Sequence, residues 1–376
     1  MTSIPSDGLY PTLIDALTLC VSGIAPEIAG PEAISRLRDA AQWLPFFPVL
    51  YLEIRLNGNA SRVDLAQYIP ASCGGSKALA NHIESLSLDG DIPPVWRKLR
   101  RLCKQWNNPE SPVHGGIEGV WLEVDMDSPI LHIPEPSIFM AFHRNPPAPE
   151  KAVRAVEAAL SGLTDFPIHP GGKRMFLRIF EACGKNAAVI HTGVWLARQT
   201  QELRVIVKGD GNSWISQFLK AIDWPGYGSW DTIKTEFDKL FDFADTITLA
   251  IDVGEKVFPG IGLEFAINDP GFQMSGWKGI FDELTTLELC DKTKRDAVLK
   301  WPDQISPRSV PDKWPEHLII ESLLRRPDEF SIFHRSIGHV KVVIRPDLRA
   351  TAKGYLAFSH SWINPWNRKP ADRRNG

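Results

Sequence analysis

The stretch VLYLEIRLNGN, residues 49–59, shows how this chain is built. From Leu50 to Leu56 apolar residues alternate with polar or aromatic ones, which is the period of a β-strand with one apolar face. The NGN segment that follows is typical of a turn, because asparagine and glycine tolerate a positive φ. A second run, 62–69, then leads back along the first. The stretch therefore predicts a β-hairpin.

Such a hairpin occurs five times, and helix-type spacing follows almost every one. Hairpins followed by helices favour an antiparallel sheet with helices on one side only. If the first and last hairpins meet, the sheet closes and its other face lines a chamber. We therefore predict an α+β fold: a closed ten-stranded antiparallel β-barrel wrapped by an outer layer of α-helices. The predicted strands are 49–56, 62–69, 120–125, 137–143, 189–198, 203–208, 246–252, 260–267, 339–345 and 353–358.

Apolar residues at helical spacing predict the outer layer. No linker separates differently composed parts, so we predict a single domain over 1–365 with a helical N-terminal segment, 1–45. The polar end of the chain, 366–376, is rich in Arg and Asn and predicts a disordered tail. The predicted helices are 11–24, 31–43, 76–88, 93–106, 149–162, 173–183, 213–222, 230–243, 277–300 and 316–335.

Composition limits the class of protein. The chain has 376 residues, of which 43% are hydrophobic and 23% charged, which supports a substantial core. A formal net charge of -3 gives no field that favours nucleic acid as the main partner. Five widely spaced cysteines without a Cys-x-x-Cys pair indicate reduced thiols and a cytoplasmic protein. We expect no membrane span, because no apolar run approaches ~20 residues. We expect no metal site, because no His-Glu-x-x-His motif occurs.

Alternation also assigns each strand residue to one face of the sheet. On the first strand, Leu50, Leu52 and Ile54 face the helices. The opposite face carries ionisable residues, which suit either a solvated or ligand-filled chamber or open sheets that meet water. His191 and His339 are further candidates for that face. The residues assigned to the interior are Tyr51, Glu53, Arg55, Asp64, Tyr68, Trp121, Glu123, Asp125, Arg204, Lys208, Asp252, Glu264, Lys341, Arg345, Lys353 and Tyr355.

Basic residues concentrate where the two ends of the sheet would meet. If the last strand closes against the first, Arg55, Lys341, Arg345 and Lys353 lie on three neighbouring strands. Such a cluster suits a diphosphate, whose oxygens accept several charge-assisted hydrogen bonds.

The order of hairpins and helices over about 45–360 resembles the PT-barrel (ABBA) aromatic prenyltransferases. A first hairpin that ends at Pro70 and the segment Lys353-Gly354-Tyr355 on the last strand add local likenesses. The resemblance implies a transferase that moves an isoprenoid group from an allylic diphosphate to an electron-rich aromatic molecule or peptide. The resemblance also implies that the reaction requires no cofactor and that Mg²⁺ is optional. It implies substrate binding by basic residues and shielding of a carbocation by aromatic ones. The substrate-binding candidates are Lys353, Tyr355, Arg55, Lys341, Arg345, Arg204, Lys208, Tyr51, Trp121 and Trp195.

Acidic residues assigned to the same chamber leave the function open. Glu53, Glu123 and Asp125 are the catalytic candidates, as a base or orienting group for an acceptor. Acids there also suit recognition of a cationic peptide, or internal salt bridges such as Glu53 with Lys353. The alternatives to prenyl transfer are a different tailoring reaction on a peptide or natural product, a barrel that has lost prenyl chemistry, and a non-catalytic ligand-binding barrel.

Overall fold

The computed structural model describes residues 12–363 apart from 59–61, 89, 127–129, 131, 143–147, 165–168, 197–201, 270 and 325–328. The predicted disordered tail, 366–376, lies outside this part of the chain, as do residues 1–11 of the predicted N-terminal segment.

Antiparallel strands form one continuous sheet that closes on itself. Its ten barrel strands are β1 (Val49–Arg55), β2 (Val63–Pro70), β3 (Gly119–Val124), β4 (Ser137–Ala141), β5 (Ala187–Val194), β6 (Leu203–Asp210), β7 (Thr246–Val253), β8 (Val257–Ala266), β10 (Phe330–Ile344) and β11 (Ala350–Ile363). An additional strand, β9 (Asp303–Ile305), pairs with β10 beyond the barrel.

The barrel closes between the first hairpin and the last. Strands β1 to β8 pair in chain order, β8 pairs with β10, and β10 pairs with β11. β11 then pairs with β1, with Val49 opposite Ser359 and Arg55 opposite Lys353. The predicted closed, ten-stranded antiparallel barrel is therefore confirmed, and the alternative of open sheets is excluded.

Helices pack on the outer face of the barrel and share one large apolar core with it. Leu50, Leu52 and Ile54 point outward from β1 and expose at most 1% of their surface. Among the described residues, no helix is both long enough and apolar enough to pass through a lipid bilayer. The helices are α1 (Leu13–Cys20), α2 (Pro31–Ala41), α3 (Gly75–Leu88), α4 (Pro94–Asn107), α5 (Pro149–Leu163), α6 (Pro170–Cys183), α7 (Ser213–Ala221), α8 (Trp230–Glu236), α9 (Asp238–Phe243), α10 (Gln273–Thr286), α11 (Lys292–Leu299) and α12 (Glu316–Leu324).

The last helix and strand differ from the prediction. A helix was expected over 316–335, but α12 ends at Leu324 and β10 begins at Phe330. β10 and β11 continue their pairing past the barrel, until Phe330 lies opposite Ile363. Pairing between residues so far apart in the sequence overrides the local helical spacing. A local sequence pattern gives no information on such pairing.

Smaller differences have similar causes. The predicted helix 230–243 is divided into α8 and α9 at Phe237, and the helix 277–300 into α10 and α11. β9 lies outside the ten predicted strands. β5 ends at Val194 rather than at 198, and residues 197–198 lie outside the described part.

Candidate active site

The barrel encloses a cavity of about 750 Å³ that opens at its surface. Its lining is supplied by the inward faces of the strands, so the alternation in the sequence decides which side chains reach it. All thirteen candidate residues contribute to this lining: Tyr51, Glu53, Arg55, Trp121, Glu123, Asp125, Trp195, Arg204, Lys208, Lys341, Arg345, Lys353 and Tyr355. The structure gives their positions, and their roles remain proposals.

Four cations lie in one line across six adjacent strands, and we call these residues the cation row: Arg55, Lys353, Lys341 and Lys208. Arg55 lies opposite Lys353 on β11, and Lys353 lies opposite Lys341 on β10. The line continues through Glu264 on β8 and Thr248 on β7 to Lys208 on β6. Like charges on directly opposed residues repel each other, so this row requires anions beside it.

Glu53 supplies the negative charge at the densest part of the row. Its carboxylate accepts hydrogen bonds from Arg55, from the Tyr355 hydroxyl, and from Lys353 Nζ at 2.7 Å. Burial alone would favour the neutral acid, but the Lys353 and Arg55 cations hold the pKa of Glu53 well below its usual range. The predicted salt bridge between Glu53 and Lys353 is therefore present.

Other carboxylates fix the remaining cations. Arg55 also donates to Asp64 at 2.9 Å, and Asp64 accepts a second bond from the Met126 backbone N–H at 2.9 Å. Lys341 Nζ donates to Glu264 at 2.9 Å, deep in the wall. We call this side of the barrel the charged wall: Asp64, Glu53, Arg55, Tyr355, Lys353, Lys341 and Glu264.

The side chain of Lys341 passes close to the backbone of the neighbouring strand β8. The lysine side chain lies across Gly262 of β8, where an added Cβ would come within 2.6 Å of Lys341 Cε. A glycine at this position therefore allows the ammonium group to reach Glu264 along the inner surface.

Arg204 forms a separate ion pair away from the charged wall. It donates to both oxygens of Asp252, at 2.8 and 2.7 Å, in a bidentate arrangement. Its guanidinium also lies 4.6 Å from the ring centre of Trp195. Burial alone disfavours the charged form of Arg204, but the hydrogen bonds to Asp252 raise the pKa of Arg204 above its usual value.

Within the described residues, Lys208 and Arg345 are the lining cations that form no ion pair. The described residues that line the cavity include six carboxylates and six cations, so their formal charges balance. The sequence assigned acids as well as cations to this chamber and left internal salt bridges open as one interpretation. Ion pairs of this kind hold Arg55, Arg204, Lys341 and Lys353.

Glu123 differs from the other acids in the cavity. Among the described residues it forms no hydrogen bond or ion pair. Burial and the nearby charge of Glu53 raise the pKa of Glu123 to about 7, although cations across the cavity oppose this. Near neutral pH the carboxyl is therefore divided between its neutral and ionised forms.

Irregular pairing sets the positions of two histidines. β5 shifts register between Val189 and His191, and β10 does so between Ile337 and His339. A bulge of this kind redirects side chains, and both histidines line the cavity. The His339 ring stacks on Tyr355 with 4.0 Å between centroids. Burial lowers the pKa of His191 to about 4 and also lowers the pKa of His339, so neither adds a cation near neutral pH.

An apolar cluster lies on the other side of the cavity. It is separate from the main core, and Phe139 and Trp195 meet edge to face with 5.2 Å between ring centroids. The Phe139 ring lies against Gly193, where an added Cβ would come within 2.2 Å of it. We call this cluster the apolar wall: Trp121, Phe139, Ile190, Trp195, Ile206 and Ala250.

Sequence reasoning missed most of the apolar wall, because it looked for ionisable and tyrosine or tryptophan side chains. Alternation within β4 did offer a signal, since Phe139 shares a face with Ser137 and Ala141. Ile190 could not be found this way, because the bulge in β5 turns both Ile190 and His191 toward the cavity.

Tyr51 and Trp121 connect the two walls. Their rings lie 5.3 Å apart, and Trp121 also packs on Tyr68 at 4.9 Å. Aromatic faces therefore line the cavity between the charged groups and the apolar cluster.

No profile of a known protein family matches the chain, and no curated protein matches its sequence. Among solved structures, AnaPT from Neosartorya fischeri aligns with a TM-score of 0.48 and 10% identity over 94% of this chain and 92% of its own. A 6-dimethylallyl tryptophan synthase aligns with a TM-score of 0.47 and 10% identity over 93% of this chain and 96% of its own. Likenesses of this strength assign no activity, so the proposed function rests on the side chains inside the barrel.

Proposed function

We propose that this protein transfers an isoprenoid group from an allylic diphosphate to an electron-rich aromatic or peptide acceptor inside the barrel. The observation that carries the proposal is a barrel cavity that is lined both by a row of cations and by an apolar wall. An allylic diphosphate has the same division, with a polyanionic head and an apolar chain.

The cation row suits the diphosphate head. Lysine and arginine side chains on adjacent strands present several N–H donors to one region, which matches a group with many acceptor oxygens. Lys208 and Arg345 supply positive charge that no carboxylate among the described residues neutralises. The phenol of Tyr355 adds a neutral donor, since burial and the Glu53 charge raise its pKa well above the usual value.

The apolar wall suits the isoprenoid chain. Burying hydrocarbon against Phe139, Ile206 and Ala250 removes apolar surface from water. Trp121 of this wall packs on Tyr51, which lies two residues before Glu53 on β1. Their ring faces would stabilise an allylic carbocation electrostatically while water is excluded.

The reaction would proceed by breaking the bond between the allylic carbon and the diphosphate oxygen. The electron pair leaves with the diphosphate, and the acceptor ring attacks the allylic cation to form a carbon–carbon bond. The ring then loses its proton to a base. Glu123 is the best-placed acid for that role, because it has no competing partner among the described residues and its pKa lies near 7. Glu53 is less suitable, because three donors hold its carboxylate in the ionised form.

Incubation with dimethylallyl, geranyl or farnesyl diphosphate and a panel of indoles, phenols and peptides would test the proposal. Mass spectrometry should detect the prenylated acceptor, and phosphate analysis should detect released pyrophosphate. Calorimetry that finds no binding of any of the three diphosphates would overturn it. A barrel that binds these compounds without turnover, or that co-purifies with another molecule, would instead support a non-catalytic ligand-binding barrel.

A further inference from the structure

Glu53 occupies the point at which the donors of the charged wall converge. One of its carboxylate oxygens accepts from Arg55 and from Lys353, and the other accepts from Tyr355. No other carboxylate of the charged wall contacts three donor side chains. The residue is 9% exposed, so water does little to satisfy these groups in its place.

We infer that Glu53 is a resident anion in the diphosphate site, bound to the groups that would otherwise hold the substrate's phosphate and displaced when the substrate binds. This inference rests on the proposed function. It assigns Glu53 to neither acid–base chemistry nor acceptor binding, and it makes the residue a competitor of the diphosphate.

The arrangement of the cation row explains why such an anion is needed. Arg55 and Lys353 are direct cross-strand partners, and their charges would repel each other in a ligand-free cavity. A carboxylate between them removes that repulsion. A phosphate group offers the same negative charge and more acceptor oxygens, so it would satisfy the same donors.

Two of the three cations in the charged wall are held in place by other contacts when Glu53 leaves. Arg55 keeps its bond to Asp64, and Asp64 is fixed in turn by the Met126 N–H. Lys341 keeps its bond to Glu264. Tyr355 stays stacked on His339. The donors that Glu53 releases, on Lys353 and Tyr355 and one nitrogen of Arg55, therefore become available beside cations that keep their positions.

The substitution Glu53→Gln tests the inference, because it removes the competing charge and keeps the size of the side chain. Calorimetric titration with inorganic pyrophosphate should show an affinity about tenfold higher than that of the wild-type protein, since a charged acceptor no longer competes for the same donors. The gain should disappear in the Glu53→Gln, Lys353→Ala double variant, because Lys353 is the donor that is released.

Asp252→Asn is the matched control. It also removes one negative charge from the cavity lining, but Asp252 contacts Arg204 rather than the cation row. Its affinity for pyrophosphate should rise by less than about threefold, because long-range charge effects are small compared with direct contacts. An equal rise in both variants would overturn the inference, since only net charge would then matter.

Unchanged or weaker binding of pyrophosphate by Glu53→Gln would also overturn the inference. If that variant fails to fold, Glu53→Asp replaces it, because the shorter carboxylate keeps its charge but no longer reaches all three donors. Its affinity should then exceed that of the wild type, and an unchanged affinity would contradict the inference.

The two proposals fail in different ways. If the wild-type protein binds no allylic diphosphate but Glu53→Gln binds pyrophosphate, the resident anion is supported and the proposed function is not. If the wild-type protein binds dimethylallyl diphosphate and Glu53→Gln binds it less tightly, the proposed function stands and the inference fails.

Discussion

The charged wall and the apolar wall line the same cavity but are built on different principles. In the charged wall each of the three cations, Arg55, Lys353 and Lys341, is held by a carboxylate, so removing one partner leaves an uncompensated charge. In the apolar wall, side chains contribute mainly area and shape. Under the proposed function, we expect the charged wall to determine whether a diphosphate binds, and the apolar wall to determine which chain is preferred.

Glu123 lies on β3, two residues after Trp121, where the two walls meet. Of the substitutions considered, a change of Glu123 should have the largest effect. Glu123→Gln should lower the turnover rate by about 10²–10⁴-fold, the usual contribution of a general base, with little change in pyrophosphate affinity. Because only the ionised carboxylate accepts a proton, the wild-type rate should rise with pH through about 7. The variant should lack that rise, which pH profiles of single-turnover rates would show.

Asp125→Asn provides the comparison for Glu123. If it removes the dependence on pH while Glu123→Gln retains it, the base is Asp125 and the assignment to Glu123 is wrong.

Lys353→Ala should weaken binding of dimethylallyl diphosphate by about a hundredfold, because truncating one partner of a desolvated charge pair costs about 2–5 kcal/mol. Titration calorimetry would measure the loss. Lys278→Ala removes a lysine from the exposed surface of α10 and should have no effect. Equal affinities of Lys353→Ala and the wild type would show that the head group binds elsewhere.

Phe139→Ala should change the chain that is preferred while leaving the head-group site intact. Removing the ring enlarges the cavity next to Trp195, so the ratio of turnover with geranyl to dimethylallyl diphosphate should rise by about tenfold, the scale of one or two buried carbon groups. Affinity for inorganic pyrophosphate should stay the same. A fall in that affinity would break the separation between the walls.

The smallest effects are expected from two glycine substitutions, one beneath each wall. Gly262→Ala should displace Lys341 and weaken pyrophosphate binding by about threefold, a fraction of the loss from removing a charge. Gly193→Ala should displace the Phe139 ring and change chain preference without changing pyrophosphate affinity. If both variants affect the same property, the two walls do not act separately.

The inward and outward faces could be predicted from the sequence because alternation is a local property of a strand. Alternation places Tyr51, Glu53 and Arg55 on one face of β1, and it places the apolar residues between them on the face that packs against the helices. The salt bridge between Glu53 and Lys353 also followed, once closure of the first and last strands was assumed.

The cation row could not be predicted in full, because it depends on register between strands distant in sequence. Lys208 and Arg55 belong to one line only because five successive pairings align them. The bulges before His191 and His339 could not be predicted either, because no local sequence pattern indicates where a strand contains an extra residue. The same limit hid the partners of Arg204, Lys341 and Arg55, which pair with Asp252, Glu264 and Asp64.

Titration of the wild-type protein with inorganic pyrophosphate and then with dimethylallyl, geranyl and farnesyl diphosphate tests the central claim most directly. We expect pyrophosphate to bind, more weakly at high salt, and affinity to rise as the chain lengthens until the cavity of about 750 Å³ is filled. A protein that binds none of the four, or that binds all four with equal affinity, would contradict the division of the cavity into a wall for the head group and a wall for the chain.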